Sequence, residues 1–373
     1  MTRSEPLKIL QVTKLYTPWI GGVERIVQEL SEGLRNDSRF DVRVLCVASR
    51  GAGSSQIING VPVRRSASFG ILFGMPLSLS FFLDFRRAVS EVDIIHFHEP
   101  FPLATLAWFF FRPRKKIIVT YHADIVRQRI LFPLYRPFLF SLLRAASFIS
   151  PTSPVLQSYS LTLSHFPEKL RPIPLGIPLR KFSHLTERHN ELLGKLKERY
   201  GAGPFILFAG RPAYYKGIPT LFEAFRGIPA RLILVGVSEC DVTIPSAIHQ
   251  RLIFTGKVSD EDLPAYYHFA DFFVLPSTKP AEAFGLVQVE AMAAGLPVIN
   301  TALPTAVPWV SRHNETGLTV EPGNVSELRG AILTLLTQPK LRESFACAAR
   351  ERANLFSSDR MISDYAKLYE SLF

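Results

Sequence analysis

Two glutamates eight positions apart dominate the chemistry of this chain. They lie in Pro276-Ser-Thr-Lys-Pro-Ala-Glu282-Ala-Phe284-Gly285-Leu286-Val-Gln-Val-Glu290-Ala-Met-Ala-Ala-Gly295-Leu-Pro-Val. A strand ending at Leu275, a loop carrying Glu282 and a helix starting near Phe284 or Gly285 bring free N–H groups to one point. The positive end of a helix dipole sits there too, and together they suit a phosphate. Gly285 has no Cβ to hold a ligand away from the backbone. Glu290, about two turns into the helix, is within reach of the hydroxyls of a sugar or ribose. Taken alone, the pair also fits a plain strand–loop–helix, with one solvated carboxylate and one complementing the dipole.

A second constellation precedes it: Phe208-Ala-Gly210-Arg211-Pro-Ala-Tyr-Tyr-Lys216-Gly217. Two cations five apart after a strand can straddle a pyrophosphate, Arg211 as a bidentate fork and Lys216 as a point charge. With Lys+Arg 43 against Asp+Glu 32, a basic surface loop is the plainer alternative. Val235-Gly236 and Gly256-Lys257-Val258 end two further strands. Ser259-Asp-Glu-Asp262 reads as a helix start, with Ser259 as N-cap and acidic residues in the first turn, rather than as a metal site. No Asp-x-Asp ends a strand, and no metal is expected, because Arg211, Lys216 and the helix dipole can neutralise a bound diphosphate.

In the N-terminal half, Gly21-Gly22-Val-Glu24 sits at a strand-to-helix turn that permits close ligand approach, without the G-x-G-x-x-G dinucleotide fingerprint. His96-Phe-His98-Glu99 and Tyr121-His122-Ala-Asp124 each end a strand. A histidine there is usually structural. A zinc site from His96, His98, His122 and Asp124 is conceivable, yet alternation on two adjacent strands produces such a quartet by accident.

These turns need a scaffold that presents strand ends together. The chain has 373 residues, 47% of them hydrophobic, which excludes disorder and predicts two comparable domains. Short apolar runs alternate with helical spacing: Lys8–Val12, Val42–Val47, Val92–Phe97, Lys116–Tyr121, Phe148–Ser150 and Pro172–Leu175. After a gap come Phe205–Ala209, Arg231–Val235, Leu252–Thr255, Phe272–Leu275, Pro297–Asn300 and Leu318–Val320. Continuous rather than alternating runs suit strands buried on both faces of a parallel sheet. The rhythm lapses from about Gly176 to Gly203, and Ser357–Phe373 forms a separate amphipathic helix. The prediction is α/β: two Rossmann-like, doubly wound domains facing each other across a cleft, with ligands at the carboxyl ends of the strands.

Glu282-x7-Glu290, with Ala-Phe-Gly-Leu after the first glutamate and Ala-Met-Ala-Ala-Gly-Leu-Pro-Val after the second, resembles the signature of glycosyltransferase family 4. The Gly210-Arg211-x4-Lys216-Gly217 loop is similar to that family's donor-phosphate motif. The resemblance covers nearly the whole chain and is most specific from about 205 to 323. It implies the GT-B fold and retaining transfer of a hexose from a nucleotide-sugar. It implies that Glu282 and the amides around Phe284, Gly285 and Leu286 grip the donor sugar. Glu290 would hold the ribose, Arg211 and Lys216 the diphosphate, and Gly236 and Val258 would border the nucleotide. Gly21 and Gly22 would face its phosphates and His122 the donor sugar, with His122 and Glu282 as the catalytic pair. The implied mechanism is front-face substitution, the leaving phosphate taking the proton, and no cofactor beyond the donor substrate. The implied division is an acceptor-binding domain over 1–180, a linker and helix over 181–203, a nucleotide-sugar domain over 204–354 and, over 355–373, a helix packing back towards the first domain.

Asn300-Thr-Ala-Leu-Pro-Thr-Ala-Val-Pro-Trp-Val310, Glu315–Asn324 and Tyr121-His-Ala-Asp-Ile-Val126 look like bacterial mannosyl- and rhamnosyltransferases of polysaccharide assembly. The expected donor is a GDP-sugar such as GDP-mannose, and the acceptor a glycan or lipid-linked glycan. A UDP-sugar donor is the alternative, as is a non-catalytic basic protein for membranes or nucleic acid. The net charge of +11 favours anionic partners. Three aromatic-basic patches point to an anionic membrane surface: Phe69, Phe73, Phe81, Phe82, Phe85, Arg86 and Arg87; Trp108 to Lys116; and Arg127, Arg129, Phe132, Tyr135, Arg136, Phe138 and Phe140. No RNA or DNA motif accompanies them, so nucleic acid is not an expected partner. With three scattered cysteines, no signal peptide and no spanning apolar segment, the expected location is the cytoplasm, with peripheral attachment at the inner face of the cytoplasmic membrane.

Overall fold

The computed structural model describes residues 5–19, 21–72, 74–125 and 132–373. The chain divides into two compact units, the first running to residue 176 and resuming at 358, the second spanning 177–357.

The first unit contains β1 (Leu7–Val12), α1 (Gly22–Arg35), β2 (Phe40–Val47), β3 (Ser54–Ile58), β4 (Val61–Ser66), β5 (Gly70–Leu72), β6 (Met75–Leu77) and α2 (Ser80–Ser90). It continues with β7 (Ile94–Glu99), α3 (Pro102–Phe111), β8 (Lys116–Tyr121), α4 (Phe132–Ala145), β9 (Phe148–Pro151) and α5 (Pro154–Tyr159). Its sheet has the order β3-β4-β2-β1-β7-β8-β9. All pairings are parallel except the β3–β4 edge hairpin. Leu10, Val12, Ile95, Phe97, Val119 and Ile149 from four neighbouring strands form the centre of its core. The order reverses between β1 and β7, so the loops after these strands border the switch point where α/β sheets take ligands.

The second unit contains α6 (Leu179–Ser183), α7 (Glu187–Tyr200), β10 (Phe205–Ala209), α8 (Ile218–Phe225), β11 (Arg231–Val235), β12 (Leu252–Gly256) and α9 (Leu263–Phe269). There follow β13 (Phe272–Val274), α10 (Leu286–Ala293), β14 (Val298–Thr301), α11 (Val307–Val310), β15 (Gly317–Val320), α12 (Val325–Thr337) and α13 (Pro339–Ala353). This sheet is parallel, in the order β12-β11-β10-β13-β14-β15, and its switch point lies between β10 and β13. The last helix, α14 (Ser358–Glu370), belongs to the first unit, where Met361, Tyr365, Leu368 and Tyr369 form its buried stripe.

The structure adds to or departs from the sequence reading at four places. Pro172–Leu175 is no strand: Arg171 and Ile173 donate to Ile149 and Pro151, but Pro172 and Pro174 have no N–H to continue a ladder. The hairpin β3–β4 was not foreseen, because β3 is almost wholly exposed and carries no apolar run. The stretch 181–203, read as an interdomain linker and helix, carries α7 and belongs to the second unit. There Arg188 forks onto Asp262 at 2.8 and 3.1 Å, and His189 Nε2 donates to the Glu261 carbonyl at 2.6 Å. Within the first aromatic-basic patch, Phe81 and Phe85 are core residues with 0% exposure, since their four-residue spacing faces them inward on α2.

Candidate active site

In the second unit the parallel register delivers the predicted residues to one edge of the sheet. Val258 follows β12, Gly236 follows β11, Arg211 and Lys216 follow β10, and Glu282, Phe284, Gly285, Leu286 and Glu290 follow β13. The β10 and β13 loops flank the switch point, and Lys216 Nζ lies 2.6 Å from Glu282 Oε2, both side chains about 10% exposed. Ser277 Oγ donates to the same carboxylate oxygen at 3.1 Å. Gly217 makes this approach feasible: its φ is +69°, and a Cβ there would lie 1.8 Å from the Pro276 carbonyl oxygen. Arg211 is exposed.

Gly285, at φ +73°, is the N-cap of α10, so the first amides of that helix open beside the loop carrying Glu282. Its added Cβ would sit 2.8 Å from Leu275 Cδ2. The loop is held from beneath by groups that motif reading passed over. Gln288 Nε2 donates to the Phe284 carbonyl at 2.8 Å, and Asn300 Nδ2 donates to Gln288 Oε1 at 3.1 Å. Thr301 Oγ1 donates to the Ser277 carbonyl at 2.7 Å. The signal for these was a polar residue inside an otherwise apolar helix or strand. Glu290 is 2% exposed, and Tyr267 donates its hydroxyl to Oε2 at 2.7 Å. Gly236 N donates to the Gly256 carbonyl at 2.9 Å, tying the β11 and β12 turns together.

In the first unit, Gly21 and Gly22 open α1, and the Gly21 carbonyl accepts from Arg25 N at 3.1 Å. His122 follows β8 directly, its backbone N donating to the Glu99 carbonyl at 2.9 Å. Its Nε2 is 3.1 Å from His98 Nδ1, whereas Nδ1 is buried without a partner among the described residues. Thr13 Oγ1, just past β1, is buried and unpartnered in the same sense. Burial lowers the His122 pKa to about 3, with nearby Lys14 adding to the effect, and burial lowers His96 to about 3 as well. Lys14, which motif reading missed because it stands outside any pattern, has its own pKa lowered by burial, opposed by Glu24 and Glu99. Glu99 is raised by burial, although it accepts from Phe101 N, Thr105 Oγ1 and Tyr135 OH at 2.5, 2.7 and 2.8 Å.

The zinc quartet does not assemble. Both ring nitrogens of His96 and of His98 lie within hydrogen-bond distance of neighbouring side chains, and Asp124 Oδ1 accepts from Tyr121 OH and Ser160 Oγ. Among the described residues no three His, Cys, Asp or Glu side chains are placed to hold a metal ion. Phe73, Val126, Arg127 and Arg129 lie outside the described residues.

Two doubly wound parallel units, one gathering a buried cation–carboxylate pair at its switch point beside a helix start, define a two-domain α/β enzyme. Residues 195–352 match the family described as glycosyl transferases group 1, and residues 20–181 match glycosyltransferase family 4. Similar chains include the D-rhamnosyltransferase WbpZ of Pseudomonas aeruginosa, 31% identical over 93% of this chain and 91% of that one. The O-antigen chain mannosyltransferase C of Escherichia coli is 28% identical over 98% and 99%. Sucrose-phosphate synthase from Thermosynechococcus elongatus shares the fold, with a TM-score of 0.80 at 23% identity over 98% and 99% of the two chains. The chain belongs to the GT-B glycosyltransferases of family 4 and is a hexosyltransferase.

Proposed function

We propose that this enzyme moves a mannose-type hexose, with retention, from a GDP-sugar to a hydroxyl of a glycan or lipid-linked glycan in cell-surface polysaccharide synthesis. The observation that carries this reading is the Lys216–Glu282 pair across the β10–β13 switch point, beside the open amides of α10. An arriving diphosphate would draw Lys216 and the helix amides, and Arg211 would close on it from the exposed side. Glu282, so released, would accept hydroxyls of the sugar, and Glu290 those of the ribose. The C–O bond to the diphosphate breaks as the acceptor oxygen bonds to the anomeric carbon on the same face, and the acceptor proton passes to the departing phosphate. The protein's part is positioning and stabilisation of the leaving charge, without a metal ion.

The sugar and acceptor follow relatives whose names read D-rhamnosyltransferase and O-antigen chain mannosyltransferase C. The base follows a Mycobacterium tuberculosis relative described as a GDP-mannose-dependent mannosyltransferase, 27% identical over 92% of this chain. The first unit rests on anionic membrane through exposed Phe69, Leu72, Leu79, Leu83 and Phe110, with Arg86 and Arg112 stacked against neighbouring rings. No helix among the described residues is long and apolar enough to cross a membrane. The test is thermal stability against GDP, UDP and ADP, each with and without magnesium, followed by the anomeric configuration of the product. Stabilisation by GDP alone, independent of magnesium, supports the reading, because a ligand of the folded state raises the melting point by mass action. Stabilisation by UDP instead replaces the donor, and an inverted product removes the front-face mechanism.

A further inference from the structure

Three side chains of the first unit, Tyr369, Gln11 and His98, connect the last helix to His122, with His96 on a side branch. Tyr369 OH, on α14, lies 2.7 Å from His96 Nδ1 and accepts from Gln11 Nε2 at 3.1 Å. Gln11 Oε1 is 2.8 Å from His98 Nε2, and His98 Nδ1 is 3.1 Å from His122 Nε2. Gln11, His96 and Tyr369 are completely buried, and His98 is 2% exposed.

An amide oxygen only accepts and an amide nitrogen only donates, so Gln11 gives the network a direction. Its oxygen requires a proton on His98 Nε2. A neutral His98 then has a bare Nδ1, which must accept, and His122 must donate from Nε2. In a neutral ring this leaves His122 Nδ1 as a bare lone pair. On the other branch Tyr369 OH, accepting from Gln11, donates to His96 Nδ1. His96 Nε2, 2.7 Å from Thr120 Oγ1, donates there, and Thr120 lies 2.6 Å from Tyr365 OH, which donates onward to Ser150 Oγ at 3.1 Å. Every proton has one place. Turning the Gln11 amide over would reverse all of them and leave a buried, unpaired N–H at His122 Nδ1. That N–H would stand in the field of the Lys14 cation, whose charge acts on His122. A lone pair is the better neighbour for a cation, so the first direction is favoured.

We propose that Gln11, anchored by Tyr369 of α14, fixes His122 through His98 in its Nε2–H tautomer, so that the bare Nδ1 accepts a hydrogen bond from a substrate hydroxyl. The buried Nδ1, without a partner among the described residues, is the observation that points to a ligand, since leaving a buried acceptor unmet is costly. Gln11, His98 and Tyr369 are positioning residues that act through His122. The tautomer assignment stands on its own, whereas the substrate hydroxyl rests on the reading of His122 as a residue that faces the donor sugar.

The experiment is a long-range proton–nitrogen correlation spectrum of the full chain labelled with ¹⁵N-histidine at neutral pH, with the nine histidines distinguished by His122→Phe and His98→Phe. The expected result is a proton on Nε2 and a bare Nδ1 in both rings. A proton on His122 Nδ1 overturns the proposal. In Gln11→Leu the His122 signal should become a mixture of tautomers, and kcat should fall about tenfold while donor KM moves less than about twofold. Tyr369→Phe should give a smaller change in the same direction. A single Nε2–H tautomer and full kcat in Gln11→Leu also overturn the proposal, and if that variant does not fold, the wild-type spectrum decides alone. Full kcat in His122→Phe, with the expected wild-type tautomer, keeps the relay and removes the donor-facing reading of His122.

Discussion

Lys216 and Glu282, 66 positions apart in the sequence, form a nearly buried ion pair at 2.6 Å because β10 and β13 are neighbours in the sheet although two strands intervene in the chain. The pair occupies the point where the winding of the sheet changes direction, and there the helix that follows β13 presents its first amides. Removing one partner leaves the other desolvated and uncompensated. Lys216→Met should therefore destabilise the fold on the order of 3 kcal/mol in urea unfolding. The double variant Lys216→Met with Glu282→Gln should lose clearly less than the sum of the two single changes. Additive losses would mean that the pair is not a coupled unit.

The same lysine should matter to the donor. Lys216→Met and Arg211→Ala should each abolish most of the thermal shift given by nucleoside diphosphate, and Lys216→Met should lower kcat/KM about a hundredfold, typical of removing one group that stabilises a leaving charge. Glu282→Gln should keep the nucleotide-induced shift and lose turnover. A Lys216→Met enzyme with an unchanged shift would detach the β10 loop from diphosphate binding.

Gly217→Ala combines a left-handed backbone with a Cβ driven to 1.8 Å from the Pro276 carbonyl oxygen. Both loops of the site must part to admit it. A loss of roughly 1–3 kcal/mol in unfolding free energy is expected, with donor affinity falling as well. Gly323→Ala serves as the comparison: it shares a positive φ but has nothing within 4 Å of its added Cβ, so it should cost less and leave donor binding intact. Equal effects of the two substitutions would show that backbone conformation alone, and not loop contact, accounts for the loss.

His96 and His122 have folded pKa values near 3, below the ordinary 6.5, because burial disfavours their charged form. Between these values the unfolded chain binds more protons than the folded one. Stability is then fully present above about pH 6.5 and declines as pH falls towards 3, by up to about 1.4 kcal/mol per pH unit for each ring. Urea unfolding between pH 7.5 and 5 measures this slope, and His96→Phe should make it shallower where the variant folds. A wild-type curve flat below pH 6.5 would show that the rings are charged in the folded state.

For the membrane surface, Leu83→Ser with Phe110→Ser should weaken co-sedimentation with phosphatidylglycerol vesicles at low salt, while the nucleotide-induced shift persists. Both positions are exposed, and the ring of Phe110 on α3 lies 6.1 Å from that of Phe82, the α2 neighbour of Leu83. Unaltered vesicle binding would take this face out of the proposal.

By itself, the sequence determined the strand rhythm and the turns that carry chemistry. Lys116–Tyr121, Phe205–Ala209 and Arg231–Val235 read as strands because a parallel sheet buried on both faces demands unbroken apolar runs. The spacing Glu282-x7-Glu290 was legible because both residues hang on one strand–loop–helix unit, a local feature. What lies between units of this kind was not legible. Gln288 on α10 and Asn300 and Thr301 on β14 support the Glu282 loop from two separate elements, and Tyr369 reaches Gln11 across 358 positions. Such contacts depend on which strands become neighbours and on which face a returning helix covers. The almost wholly exposed β3 and the inward-facing Phe81 and Phe85 depended on it too. Local pattern sets each element and its turn. Only closing the sheets decides which turns meet, because burial of the apolar faces, not any signal within a turn, selects that arrangement.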